Sequence, residues 1–179
     1  MSHSTSLALW VDAPIHFEFH ECGGNGDCMF HVLCHSLKAL GYPIKTMMQV
    51  RKLLSGSLNY DNQANFCKKM WTEQGLVCPT DLHQLQTLIE TRGASFQGND
   101  TCLSWLLQHH PWFEKLGFII FSSWGFHHTQ VLSTSSSQAY LLLLNRADIN
   151  HWQLASMNHW VAISKPLVPL ILGAEEQKE

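Results

Sequence analysis

The spacing of apolar residues changes character along this chain, and that change limits the folds open to it. From Phe30 the apolar positions Phe30, Leu33, Leu37 and Leu40 recur at helical spacing, and Gly41 with Pro43 supplies a stop. Pro43 suits the first turn of a second helix through Met47, Val50 and Leu54, ending near Gly56. A third, less regular helix is expected from about Asn59 to Gln74. Thr80 or Asp81 can cap a fourth through Leu82, Leu85 and Ile89, and Asn99 or Asp100 a fifth through Leu103, Leu106 and Leu107. Then "GFIIFSSW" (117–124), "AYLLLLN" (139–145) and "HWVAIS" (159–164) are short apolar runs bounded by polar residues. They read as strands of one mostly buried sheet, with "STSSSQ" a loop between the first two. Beyond them Pro166 and Pro169 suggest an extended segment and residues 173–179 a polar tail.

A chain of 179 residues that is 45% apolar and only 14% charged can bury a substantial core, so one domain over 1–179 is expected. Net charge is −3, with Lys and Arg scattered, so no basic stripe marks a nucleic-acid partner. No apolar run approaches the roughly 20 residues of a membrane span. The six cysteines form no CxxC pair and read as reduced, buried thiols of a reducing compartment.

"GGNGDCMFH" (23–31) carries the chemistry. It places Cys28 at a helix start, where the dipole and unpaired N–H groups favour a thiolate. Gly23, Gly24 and Gly26 let the preceding backbone approach a substrate, and N–H groups of the Asn25, Gly26 and Asp27 loop and of Cys28 can face a developing oxyanion. A cysteine nucleophile needs a distant histidine base, and "NHW" occurs twice, offering His151 and His159. His159 heads the more strand-like run and is preferred; His151 follows "LLLLN" at hairpin spacing. Other readings are a buried structural thiol, and a zinc site on the C-x2-H-x3-H spacing of Cys28, His31 and His35. The pairs His109/His110 and His127/His128 read as surface residues.

"NGDCMFH" resembles the cysteine loop of the ovarian tumour (OTU) family of papain-like cysteine proteases. Gly26, Asp27, Cys28, Phe30 and His31 match its pattern, Met29 replaces a leucine, and Asn25 stands where most members have Asp. "HWVAI" resembles the family's second motif, a histidine followed by an aromatic residue on a late strand. The resemblance spans about residues 12–164. It implies an α/β (α+β) papain-like fold, a small central sheet flanked by helices, and a thiol isopeptidase that cleaves after the C-terminal Gly of ubiquitin.

In that framework Cys28 is the nucleophile and His159 the base, with His151 the alternative. The third member, often two residues after the histidine, is Val161 for His159 and Gln153 for His151, so the acid is sought elsewhere. Asp12 is slightly preferred, since some branches take it from before the cysteine loop; Glu18 and Asn158 are the alternatives. Trp160 and Trp124 are expected along a groove for the Gly-Gly tail. The resemblance implies ubiquitin or polyubiquitin as partner and no cofactor; a monomer is expected, acting in the cytosol, of a host if the chain is a bacterial effector or viral protein. A non-catalytic ubiquitin-binding module, a zinc-stabilised interaction domain, and a protease for a ubiquitin-like modifier or viral polyprotein are the alternatives.

Overall fold

In the computed structural model, which describes residues 3–8, 14–79 and 81–176, the first predicted helix forms as α1 (Cys28–Ala39). Its apolar stripe buries Met29, Phe30, Val32, Leu33 and Leu37 completely. Four helices follow: α2 (Met47–Gly56), α3 (Gln63–Met70), α4 (Leu82–Ile89) and α5 (Asp100–His109). Of the alternative caps, Asp81 accepts from Gln84 N–H and Asn99 from Cys102 N–H. Pro43 does not open α2; that helix begins four residues later, on a capping box between Thr46 and Gln49 that satisfies two otherwise orphaned N–H groups.

The sheet contains β1 (His3–Ala8), β2 (Pro14–His20), β3 (Leu116–Ser122), β4 (Gly125–Leu132), β5 (Ala139–Arg146), β6 (His151–Met157) and β7 (Ala162–Ser164). Its order is β1-β2-β6-β5-β3-β4; β3 and β5 run parallel and the other pairs antiparallel. Both faces of the central strands are covered, so "FIIF" and "LLLL" have no polar side. Phe118, Ile120, Leu141 and Leu143 join the core beneath α1 to α5, while Ile119, Phe121, Leu142 and Leu144 join a second core on the opposite face. Ile171 of α6 (Val168–Glu176) belongs to that second core. The expected α/β arrangement, a mostly buried sheet flanked by helices, is what the chain adopts.

Several local expectations fail for identifiable reasons. The strand expected over 159–164 is only Ala162–Ser164, because Asn158 and His159 both take positive φ and form a tight turn closed by reciprocal bonds between Met157 and Trp160. Strand β6 forms instead from "HWQLASM", held by β2 on one side and β5 on the other. The segment at Pro166 and Pro169 is a short 3-10 turn running into α6, with Pro169 in its first turn, where a missing N–H costs nothing. Cys67 and Cys78 are joined as a disulfide, so the expectation of six free thiols is wrong for this pair.

Leu33 is fully buried where α1 meets the sheet. Leu33→Ala should destabilise the fold by about 2–5 kcal/mol, read as a lower urea midpoint at unchanged m-value.

Candidate active site

Cys28 begins α1 and is buried, 5% exposed. The turn before it is closed by Asp27 N–H donating to the Gly24 carbonyl at 3.2 Å, with Asn25 at φ 60° and Gly26 at φ 88°. Two consecutive positive φ values are those of a type I′ turn, for which Asn-Gly is the favoured pair. Gly26 is required on a second count. A Cβ there would lie 2.5 Å from the Ala94 Cα, so the turn is pressed directly onto the backbone of the loop between α4 and α5.

Peptide geometry then fixes where the N–H groups point, since C=O and N–H of one trans unit are antiparallel. The Gly24 carbonyl faces into the turn, so Asn25 N–H faces out of it. The Asp27 carbonyl accepts from His31 N–H and opens the helix, which aims Cys28 N–H away from the helix body. Asp27's own N–H is taken by Gly24, and of the predicted oxyanion loop it is the one donor already used.

Behind this turn lies Arg51 of α2, fully buried. Its Nε and Nη2 donate to Asp27 Oδ1 at 3.1 and 2.7 Å, its Nη1 to the Ile89 carbonyl, and its Nη2 also to the carbonyls of Gly26, Gly93 and Phe96. The guanidinium lies 4.3 Å from the centre of the Phe30 ring. Burial alone would raise the Asp27 pKa, but the Gly93 N–H at 2.8 Å and the Arg51 fork and charge more than offset it and hold the carboxyl below its ordinary value.

The two "NHW" histidines fall at opposite ends of β6. Glu18 pairs with Ser156 and His20 with Leu154, where the pairing of β2 with β6 ends; the next residue, Glu21, reaches His151 and Gln153 through its side chain and accepts from Gly23 N–H at 3.4 Å. His31, on the first turn of α1, covers Gly23: a Cβ on that glycine would meet its ring at 2.3 Å. Gly23 thus lies against His31 of α1 and is joined to His151 through the Glu21 carboxylate. His159 sits beyond the far end of β6, exposed in its turn, and neither it nor Asn158 shares this neighbourhood.

His151 Nε2 lies 2.6 and 2.7 Å from the two carboxylate oxygens of Glu21, and Gln153 Nε2 donates to the same carboxylate at 3.2 Å. Burial opposes the Glu21 charge, yet the bonds from His151 and Gln153, the attraction to the imidazole and the Gly23 N–H bring its pKa below the usual value. An ionised carboxylate only accepts, so Nε2 carries the proton and Nδ1 of a neutral ring keeps its lone pair.

Among the expected acids, Asp12 lies outside the described residues, and Glu18 faces His20 at 3.6 Å, remote from His151. Glu21 was not among them, although it lies between the apolar alternation of "IHFEF" and the cysteine loop, directly after the last residue of β2. Trp160, 64% exposed, lies at the His159 end. Trp124, 63% exposed, lies at the His151 end, where the Ser123 hydroxyl donates to Asp148 Oδ1 of the turn before His151. His31 and His35 hold no cluster: among the described residues no three or more His, Cys, Asp or Glu side chains are grouped to bind a metal ion. Burial, with His35, Arg92 and Arg51 nearby, lowers the His31 pKa despite Asp27.

Neither a protein-family model nor a curated protein sequence matches this chain. Solved structures do. An OTU domain in complex with ubiquitin aligns over 97% of this chain and 90% of its own, with TM-score 0.68 and 13% identity. An OTU deubiquitinase from Wolbachia pipientis wMel aligns over 91% and 96%, with TM-score 0.55 and 13% identity. An OTU deubiquitinase from Wolbachia pipientis wMel bound to ubiquitin aligns over 84% and 97%, with TM-score 0.56 and 11% identity. At such identities the likeness is one of fold: the chain has the OTU fold.

A depressed carboxylate contributes stability above its unfolded pKa, about 3.9 for Asp. That contribution is lost as pH falls through the folded value. Urea midpoints of the wild type should therefore drop more steeply below about pH 4 than those of Asp27→Asn, which has no such charge to lose.

Proposed function

We propose that this chain, built on the OTU fold, is a cysteine deubiquitinase whose nucleophile, base and acid are Cys28, His151 and Glu21. The carrying observation is the Glu21 carboxylate on His151 Nε2, a carboxylate that also accepts from the N–H of Gly23 in the stretch leading to Cys28. A histidine oriented by an acid and a cysteine at a helix N-terminus are the groups nucleophilic catalysis requires. The likeness to OTU domains in complex with ubiquitin supports the substrate class.

In this reading His151 Nδ1 accepts the Cys28 proton and the thiolate attacks the carbonyl carbon of ubiquitin's terminal Gly. Charge develops on the carbonyl oxygen opposite the outward N–H groups of Asn25 and Cys28. The imidazolium, stabilised by Glu21, gives its proton to the departing lysine amine, leaving a thioester on Cys28. A water deprotonated by His151 then attacks the thioester carbonyl, and Cys28 recovers its proton as the acid form of ubiquitin leaves. Trp124 borders the approach to this end of the sheet and fits a groove for the tail. His159 and Trp160 have no part in the chemistry, which departs from the preference drawn from the sequence.

Ubiquitin bearing a thiol-reactive C-terminal electrophile tests the reading by intact mass. Wild type should gain one ubiquitin and Cys28→Ala none; no adduct on folded wild type would overturn the activity. On a ubiquitin C-terminal fluorogenic amide, His151→Ala should lower kcat by roughly 10²–10⁴. His159→Ala should stay near wild type, and the reverse order would remove His151 from the role of base.

A further inference from the structure

We infer that Arg51, 23 positions beyond the nucleophile in sequence, is a positioning residue that sets the oxyanion-binding conformation of the 24–28 turn. The inference rests on the acyl-transfer reading above. One guanidinium gathers the Gly26 carbonyl and the Asp27 carboxylate from the cysteine turn, the Ile89 carbonyl from the end of α4, and the Gly93 and Phe96 carbonyls from the loop beyond it. All of these acceptors would otherwise be pulled from water without full compensation.

The turn needs such a clamp because its own sequence does not specify one geometry. Gly26 permits the neighbouring peptide units to rotate as no other residue would. Rotation of the Gly26–Asp27 unit would reverse its carbonyl, break the bond from Asp27 N–H to Gly24 and redirect the flanking N–H groups. Arg51 holds that carbonyl from behind, and through Asp27 it also holds the residue whose backbone precedes Cys28 N–H. Asp27 Oδ1 carries the clamp to Gly93 N–H at 2.8 Å, so turn and supporting loop are fixed together. A fork of several donors in one plane does this; a single ammonium does not.

Simple burial of α2 would not need this arrangement. An apolar side chain of similar volume commonly serves a core as well as a buried ion pair does. The pair is suited to fixing orientation, and the orientation it fixes belongs to the segment that carries the outward N–H groups.

The test uses the full chain with Arg51→Lys, which retains the charge and the stem but loses the fork. Four quantities are compared with wild type: kcat and KM on a ubiquitin C-terminal fluorogenic amide, the rate of Cys28 alkylation by iodoacetamide, and the urea midpoint. Alkylation needs the thiolate and develops no oxyanion, so it separates the two roles. The expected result is a kcat lower by about 10²-fold, with KM and alkylation rate near wild type. A kcat near wild type, or alkylation falling in parallel with kcat, would overturn the role. If Arg51→Lys does not fold, the isosteric Asp27→Asn decides: it should show the same split at smaller amplitude, and its absence refutes the inference. A wild type inert toward the amide would overturn the deubiquitinase reading and this role with it, whereas an active wild type with an unaffected Arg51→Lys would sink the Arg51 role alone.

Discussion

The buried ion pair of Asp27 and Arg51 is the constraint on which the helical half of the molecule closes. Two opposite charges at 2.7 Å, with the guanidinium wholly out of water, are tolerable only because every arm of the fork meets an oxygen. Removing one partner from such a pair typically costs about 3–5 kcal/mol, most of it from the charge left behind. The acceptors come from the start of α1, the end of α4 and the loop that leads to α5. Three segments distant in sequence are thereby brought to one point directly behind the start of α1 at Cys28. The apolar stripes of these helices drive them together, but apolar contact is non-directional and would accept small rotations of the turn. The ion pair supplies the direction.

The sheet contributes the other half of the site through an uneven division of β5. Its Leu143–Arg146 half pairs with β6 and its Ala139–Leu141 half with β7, so the chain must leave β5 after Leu154 and return to it at Ala162. In between, β6 continues alongside β2 and reverses in the Asn158–His159 turn. This detour gives the two identical tripeptides different fates. The first begins a strand next to the hairpin from Arg146; the second is the reversal itself.

Much of the site was legible because its signals are local. Glycines followed by Cys28 and an apolar helical spacing identify a helix start, and "FIIF" and "LLLL" identify strands buried on both faces. The choice between His151 and His159 was not local. "HWVAIS" is more apolar than "HWQLAS", yet Gln153 and Ser156 are buried in β6, where the Gln153 amide donates to Glu21 just past β2 and Ser156 meets His20 of β2. A strand whose polar residues bond to a neighbouring segment looks irregular when read alone. The β2 pattern itself was visible, with Ile15, Phe17 and Phe19 alternating with His16, Glu18 and His20. Without it, Glu21 had no element to stand on.

The position of Glu21 makes sheet register part of the site's chemistry. Where the acid follows two residues after the histidine on its own strand, strand geometry alone fixes their relation. Here that position is Gln153, whose amide instead holds Glu21 from the neighbouring strand. The relation of Glu21 to His151 therefore depends on β2 meeting β6 in one register, Phe19 against Ala155. A slip of one residue would flip the faces of β2 and displace Glu21, which follows its last residue, along β6 from the imidazole. The slip is opposed by burial, since Phe17 and Phe19 would exchange faces with Glu18 and His20 and leave the second core. The aromatic packing of Phe17 and Phe19 on Phe121, at 4.6 and 6.2 Å, thus holds the register that sets Glu21 against His151. In the proposed function β2 is a working part of the site, coupled to it through the core on the far face of the sheet.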